Sequence, residues 1–327
     1  MTSLDGKSIL VTGGTGSFGK AFVKEILANH NVKRLVVFSR DELKQFEMAN
    51  EISAPNLRYF IGDVRDQDRL TRALAGIDIV VHAAAMKQVV PAEYNPMECI
   101  KTNVLGAENI INASIDTGVK KVIALSTDKA VSPANLYGAT KLCSDKLFIA
   151  ANNLTRRGET QFSVVRYGNV IGSRGSVVPF FKKKAKEGVL PITDPRMTRF
   201  WLTIEEGVQF VVKSISMMHG GEIFVPKIPS MLIPELATAV APECKQEVIG
   251  IRPGEKLHET LVPLEDARFT FSFDGFYVVQ PQIQFWEGDE LLYDGSKGDP
   301  VGEDFEYASN TNEHWVGIEE LRKILGL

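Results

Sequence analysis

Residues 8–30 read SILVTGGTGSFGKAFVKEILANH. Ser8 to Thr12 form an apolar run of strand length. Gly13, Gly16 and Gly19 follow at even spacing, and then Phe22, Val23 and Ile26 recur at helical spacing. Strand, glycine turn and helix in that order make a site for a pyrophosphate. Glycine permits the tight turn and the close approach of backbone, and the helix N-terminus offers unpaired N–H groups. The stretch predicts a dinucleotide site on Gly13, Thr15, Gly16, Ser17, Phe18 and Gly19.

Outward from this unit, β-rich runs at residues 34–40, 57–64, 78–86, 121–129 and 162–171 alternate with helical patterns at 19–29, 95–117 and 136–153. The pieces LVVF, DIVV and VIAL are nearly continuous apolar runs, as strands buried on both faces require. The expected fold is α/β: a Rossmann-type doubly wound parallel sheet with a smaller, discontinuous C-terminal substrate domain. Glycine, proline and basic residues cluster after residue 171, and a helical pattern at 204–218 returns to the first domain. The expected division is therefore 1–171 plus about 200–221 for the nucleotide domain, and about 172–199 plus 222–327 for the substrate domain. The last sixty residues read as strand and loop.

The chain has 327 residues, a net charge of -4 and 44% apolar residues. That balance gives no reason to expect nucleic acid or an anionic membrane as partner, so phosphate binding must come from local cations and amides. Cys99, Cys143 and Cys244 offer neither a disulfide framework nor metal spacing and suit a reducing cytoplasm. Five histidines form no zinc pair, and no metal is expected. Residues 1–10 lack the pattern of a secretory leader, and no apolar stretch approaches a membrane span.

Two further segments carry chemistry. Ser126-Thr127-Asp128-Lys129 ends the run at 121–129, and Tyr137-Gly138-Ala139-Thr140-Lys141 opens the helix that follows. Tyr137 and Lys141 share a helix face, and an ammonium beside a phenol lowers its pKa, which suits Tyr137 to take a proton from a sugar hydroxyl. Asp128 and Lys129 add two titratable groups that a simple dehydrogenase does not need. Ser39-Arg40-Asp41 ends the second strand. Arg40, with Lys44 one turn on, suits the 2′-phosphate of NADP, while Asp41 leaves NAD open. Asp63 and Val64 are placed to flank an adenine, Ala83 leaves room for the cofactor, and Lys87 is placed for phosphate or ribose.

The segments TGGTGSFG, GDVRD, HAAA, YGATK and RYGNVIG, in that order, resemble the extended short-chain dehydrogenase/reductase family. SRDELKQFEMA, LSTDKA, NLYGATKLCSDKLF, RYGNVIGSRGSVVPFF, PITDPRMTRFW and IRPGEKLHE resemble its nucleotide-sugar 4,6-dehydratases, specifically the 5-inverting UDP-N-acetylglucosamine group. The resemblance covers most of the chain. It implies an NADP-dependent loss of water from UDP-N-acetylglucosamine, giving UDP-2-acetamido-2,6-dideoxy-β-L-arabino-hex-4-ulose for pseudaminic acid or a related surface glycan, in a cytoplasmic homo-oligomer (dimer or hexamer). The implied catalytic set is Thr127, Asp128, Lys129, Tyr137 and Lys141. Tyr137, Lys141 and Val170 also face the cofactor. Lys87, Tyr137, Lys141, Asn169, Thr193, Arg199, Arg252 and Glu255 contact the sugar nucleotide. Lys129 departs from the retaining dehydratases, which carry glutamate there, and is the implied C5 base. The alternatives are a nucleotide-sugar 4-epimerase, which needs no Asp-Lys pair, and a non-catalytic NADP-binding regulator.

Overall fold

The computed structural model describes residues 4–156, 159–172, 176–283 and 292–327. The first half alternates as the apolar runs require. β1 (Ser8–Thr12), α1 (Ser17–Asn29), β2 (Arg34–Ser39), α2 (Glu42–Glu51), β3 (Leu57–Ile61), α3 (Gln67–Leu74) and β4 (Ile79–His82) come first. The helical pieces α4 (Val89–Tyr94), α5 (Pro96–Ile100) and α6 (Gly106–Thr117) lead to β5 (Lys121–Thr127), α7 (Leu136–Ala150) and β6 (Gln161–Tyr167). The order β3-β2-β1-β4-β5-β6 is parallel throughout, and every residue of β1 is buried. The strand order reverses between β1 and β4, which opens a crevice at their carboxyl ends.

The second half weaves between two lobes. β7 (Asn169–Val170), α8 (Val177–Lys184), β8 (Val189–Ile192) and β9 (Thr198–Leu202) leave the sheet, and α9 (Ile204–Met217) returns to pack on α1. A capping box between Thr203 and Glu206 starts α9. β10 (Ile223–Pro226) follows, then β11 (Ser230–Leu232), α10 (Ile233–Val240), β12 (Lys245–Val248) and β13 (Thr260–Val262). The chain continues through β14 (Thr270–Phe273), β15 (Phe276–Val279), β16 (Asp299–Pro300), β17 (Tyr307–Ala308) and α11 (Ile318–Leu325). A small separate core joins Phe181, Leu190, Trp201 and Leu236 to Leu321 of α11.

Two expectations need correction. Residues 222–327 do not all leave the sheet: β10 pairs parallel with β6, and β15, β14 and β16 extend the sheet antiparallel to ten strands. The apolar strands IFVP and FYVV cover the β6 edge, which would otherwise stand open. The single helix expected at 95–117 is interrupted by a π-helical turn at Lys101–Leu105. Its Asn103 accepts from the Met86 N–H (2.8 Å) and donates to the Met86 carbonyl and to Thr140 Oγ1 (both 3.0 Å), tying the loop after β4 to α7.

Gly138, in the first turn of α7, packs on the turn that carries Asp128 and Lys129. A Cβ there would overlap the Lys129 carbonyl oxygen. Gly138→Ala is therefore expected to destabilise the fold by about 1–3 kcal/mol and to displace the turn that carries Asp128 and Lys129. Urea unfolding read beside turnover checks this; an unchanged midpoint with full activity would refute the contact.

Candidate active site

β5 ends beneath the crevice, and a 3-10 turn at Asp128–Ala130 follows it directly. Thr127, Asp128 and Lys129 are thus delivered at one strand end. The Asn135 side chain caps α7 by accepting from the Gly138 N–H at 2.8 Å, and α7 carries Tyr137 and Lys141 on a buried face. The five residues named from the motifs come together.

Asp128 is fully buried. Its Oδ1 accepts from Lys129 Nζ at 3.0 Å and from Thr127 Oγ1 at 2.8 Å, while Oδ2 has no protein partner. Burial alone would lower the Lys129 pKa, but Asp128 and Glu259 outweigh it, and the net direction is upward. Lys129 is an ammonium in this state. Tyr137 is pushed up to about 12, first by burial; Lys129 and the Thr127 side chain pull against that rise. Lys129 is the cation that most favours the phenolate. Lys141 is itself lowered by burial, with Asp145 opposing. Asp145 is held in turn by Ser126 Oγ (2.7 Å) and Arg166 (3.5 Å).

Glu259 was not singled out from the sequence, although it closes the IRPGEKLHE segment. It lies just before β13, almost fully buried, with Oε1 3.5 Å from Lys129 Nζ. Burial and then Asp128 push its pKa up, against the cations Lys129, Arg199 and Lys256. Asn103 was missed as well; in both cases the residue type was visible and the partner was not.

The nucleotide side fits its expected ligand. Gly13 has φ +62°, and a Cβ there would lie 2.9 Å from the Ala84 backbone, so only glycine lets the β1 and β4 ends close. Gly16, the N-cap of α1, brings no side chain over the helix end, and the first turn carries no acid. Both features suit a dinucleotide pyrophosphate on the turn that bears Thr15, Ser17, Phe18 and Gly19. Thr12 Oγ1 accepts from the Ala83 and Ala84 N–H groups (3.1 and 3.2 Å) and bonds His82 Nδ1 (2.9 Å). Ser39 Oγ is held by Gln45 at 3.0 Å. Asp41 caps α2 through the Lys44 N–H (3.0 Å) and pairs with Lys44 Nζ (2.7 Å), so both are engaged with each other. Arg40 is largely exposed, 3.8 Å from Asp63 and close enough for Asp41 to sense its charge. Asp63 mainly serves Arg65, and Val64 packs into the core. Lys87 keeps solvent access, yet surrounding atoms lower its pKa, and Lys129 adds repulsion.

On the second lobe the expected contacts divide. Asn169 Oδ1 and Glu255 Oε2 are buried without protein partners, as a polar ligand's acceptors would be. Val170 pairs with Leu202, and Thr193 follows β8 at the edge of burial. Arg252 is half-exposed, 3.5 Å from Glu255. Arg199 differs: it is buried and donates to the carbonyls of Thr198 (2.7 Å), Lys256 (3.0 Å) and Leu257 (3.1 Å), with Nε 3.7 Å from Glu259. Three of its five N–H groups go to the protein's own backbone, because a buried guanidinium needs its donors satisfied. The turn at 252–256 is tied to the catalytic lobe by Asn135 to the Gly254 carbonyl (2.8 Å) and by Lys256 to the Val131 carbonyl. Ser173, Arg174 and Gly175 of the RYGNVIGSRGSVVPFF segment lie outside the described residues.

A ten-stranded Rossmann-type sheet with a glycine turn at its switch point, an Asp-Lys pair after β5 and a buried Tyr-x-x-x-Lys helix defines an extended short-chain dehydrogenase/reductase. Within that class the chain belongs to the polysaccharide biosynthesis protein family, which it matches over residues 9–281. It is 56% identical to the UDP-N-acetylglucosamine 4,6-dehydratase (inverting) of Campylobacter jejuni, over 98% of this chain and 97% of that protein. It is 41% identical to a UDP-glucose 4-epimerase of Rickettsia akari, over 98% and 95% of the two chains. The X-ray structure of Pen from Bacillus thuringiensis matches with a TM-score of 0.90 and 35% identity, covering 99% of this chain and 98% of that one. No helix among the described residues is long and apolar enough to cross a membrane.

His82 offers a check on the buried site. Burial, then Lys141, depresses its pKa from 6.5 to about 3. Unfolding therefore takes up a proton between those values. The stability it contributes is complete above pH 6.5 and falls as pH drops toward 3, by about 1.4 kcal/mol per pH unit. Denaturation of wild type and His82→Asn from pH 7 to pH 4 should show a shallower slope in the variant, by close to one proton. Parallel slopes would show that His82 titrates normally.

Proposed function

We propose that the protein removes water across C5 and C6 of UDP-N-acetylglucosamine with inversion at C5. The observation that carries the reading is the Asp128–Lys129 hydrogen bond at the end of β5, beside Tyr137. An enzyme that only oxidises and reduces C4 has no use for a second acid-base pair there. The relative at 56% identity bears the name of this reaction.

A nicotinamide dinucleotide on the glycine turn supplies the hydride acceptor and donor. NADP is the preferred form, because Asp41 is committed to capping α2 while Arg40 remains exposed at the end of β2. Tyr137 takes the proton of the C4 hydroxyl, aided by Lys129 and Thr127, with Lys141 one turn along the same helix face. The 4-keto group acidifies the C5 proton. Lys129 removes that proton once its own has passed to Asp128 along their hydrogen bond. This one transfer produces both groups the elimination needs: a neutral amine at C5 and a carboxylic acid for the departing C6 hydroxyl. Return of the hydride to C6, which a bound nicotinamide would supply, together with reprotonation of C5 from the opposite face, gives the arabino product.

On the second lobe, Asn169, Thr193, Arg252 and Glu255 hold the nucleotide. Arg199 holds the turn on which two of these stand. Exposed Tyr94, Met97 and Leu105 offer an apolar surface for a second copy, in keeping with a homo-oligomer. The same reading places the protein in the cytoplasm, supplying pseudaminic acid or a related glycan.

The 41% identical relative named as a 4-epimerase keeps that reaction as the second reading. An NMR spectrum of the product from UDP-N-acetylglucosamine separates them: a 6-deoxy-4-keto sugar supports the proposal, and a 4-epimer refutes it.

Two variants test the assignments. Lys129→Ala should still oxidise C4 and then stall, with deuterium entering C5 from D₂O slower by about 10²–10⁴-fold. Exchange at the wild-type rate would remove Lys129 as the base. Arg40→Ala should weaken NADP by about 1.5–3 kcal/mol and leave NAD nearly unchanged. Equal losses for both cofactors in a titration would exclude a 2′-phosphate contact.

A further inference from the structure

Glu259 is remote from Lys129 in sequence and lies just before a strand of the second lobe, yet its Oε1 stands 3.5 Å from Lys129 Nζ. It is held there from both directions. Its N–H donates to Ser309 Oγ (2.9 Å), and its carbonyl accepts from the Ser309 N–H (2.8 Å), which fixes the backbone. Arg199 Nε, at 3.7 Å, and Lys256 Nζ, at 4.0 Å, flank the carboxylate. Glu259 Oε2, which has only the Lys256 ammonium at 4.0 Å, and Asp128 Oδ2 are both buried without a hydrogen-bond partner. A carboxylate placed in this way only to stabilise the lobe would leave no acceptor over.

We propose that Glu259 is a positioning residue: it holds the Lys129 ammonium in line with Asp128 and so governs when that lysine becomes free to act as a base. Because Glu259 and the nucleotide-contacting turn at 252–256 share one segment, the control reaches Lys129 from the lobe that binds substrate. The assignment rests on Lys129 being the C5 base for its catalytic meaning, but the electrostatic link is independent of that.

The groups facing Lys129 are few. Asp128, on its own turn, and Glu259 favour its charge; Arg199 from β9 disfavours it. Lys87, Tyr137 and Lys256 complete the surroundings, each sensing Lys129 in turn. With Glu259 neutral, only Asp128 remains to hold the ammonium.

Competitive acylation with acetic anhydride tests this without reference to turnover, because only the neutral amine reacts. The full-length protein is labelled at pH 8, and the Lys129 peptide is quantified by mass spectrometry. Removing one close opposite charge moves a pKa by about one unit or more, so Glu259→Gln should raise Lys129 labelling about tenfold or more. Lys87 serves as the internal control: a loosened site would raise both lysines together, whereas loss of the Glu259 charge raises Lys129 alone. Glu259→Asp, which keeps the charge, should return Lys129 labelling toward wild type. Unchanged labelling in a folded Glu259→Gln, a parallel rise at Lys87, or no rescue by aspartate would each overturn the proposal. Should Glu259→Gln not fold, Arg199→Lys, which keeps the charge but alters the grip on Glu259, takes its place. It should change Lys129 labelling relative to Lys87, and no change would overturn the proposal. If Lys129→Ala kept normal C5 exchange, the base assignment would fall while the labelling result stood.

Discussion

Two carboxylates, Asp128 and Glu259, are buried where the lobes meet. Each would cost several kcal/mol if left uncompensated, and removing one partner from a buried ion pair costs about 3–5 kcal/mol. The local architecture answers that constraint. Lys129 comes with the β5 turn, Arg199 with β9 and Lys256 with the turn at 252–256. Three cations against two carboxylates leave a net positive charge, and Lys87 stands close enough to feel it. A groove of that sign suits a nucleotide diphosphate.

The charges also explain how the lobes are joined. The second core is small, and its chain crosses to and from the main sheet repeatedly. Separating the lobes would leave Glu259 with Arg199 and Lys256 and leave Lys129 to Asp128. Asn135 and Lys256 add two hydrogen bonds across the same seam. The turn at 252–256 and the turn at 128–130 are thus anchored to one another through this seam.

Much of this was legible in the sequence, for local reasons. The β1 strand ends where its apolar run ends, and the spacing of Phe22, Val23 and Ile26 marks α1. Asp128, Lys129, Tyr137 and Lys141 could be named because adjacent residues on one strand end and one helix face stay adjacent in space. What was not legible depends on long-range contact. IFVP and FYVV do not announce which sheet edge they will cover. The π turn that aims Asn103 at Met86 leaves the helical apolar pattern almost intact. Arg199 gives no sign in the sequence that three of its donors will end on backbone carbonyls. Glu259 is the clearest case: nothing nearby in the sequence indicates that a glutamate there will be buried against Lys129.

Helical spacing placed Tyr137 and Lys141 on one face but did not say what each one senses. Burial lifts Tyr137 to about 12, and the cation that opposes the rise is Lys129. Under the proposed chemistry this gives one lysine two duties with opposite needs. While Tyr137 is losing its proton, a charged Lys129 favours the phenolate. Once Tyr137 has taken the C4 hydroxyl proton it is neutral, and that support for the ammonium disappears. The Lys129 proton is then easier to pass to Asp128, just when the C5 proton has become acidic. Oxidation thereby prepares the base for elimination, and the order of the two steps is written into the charges around a single amine.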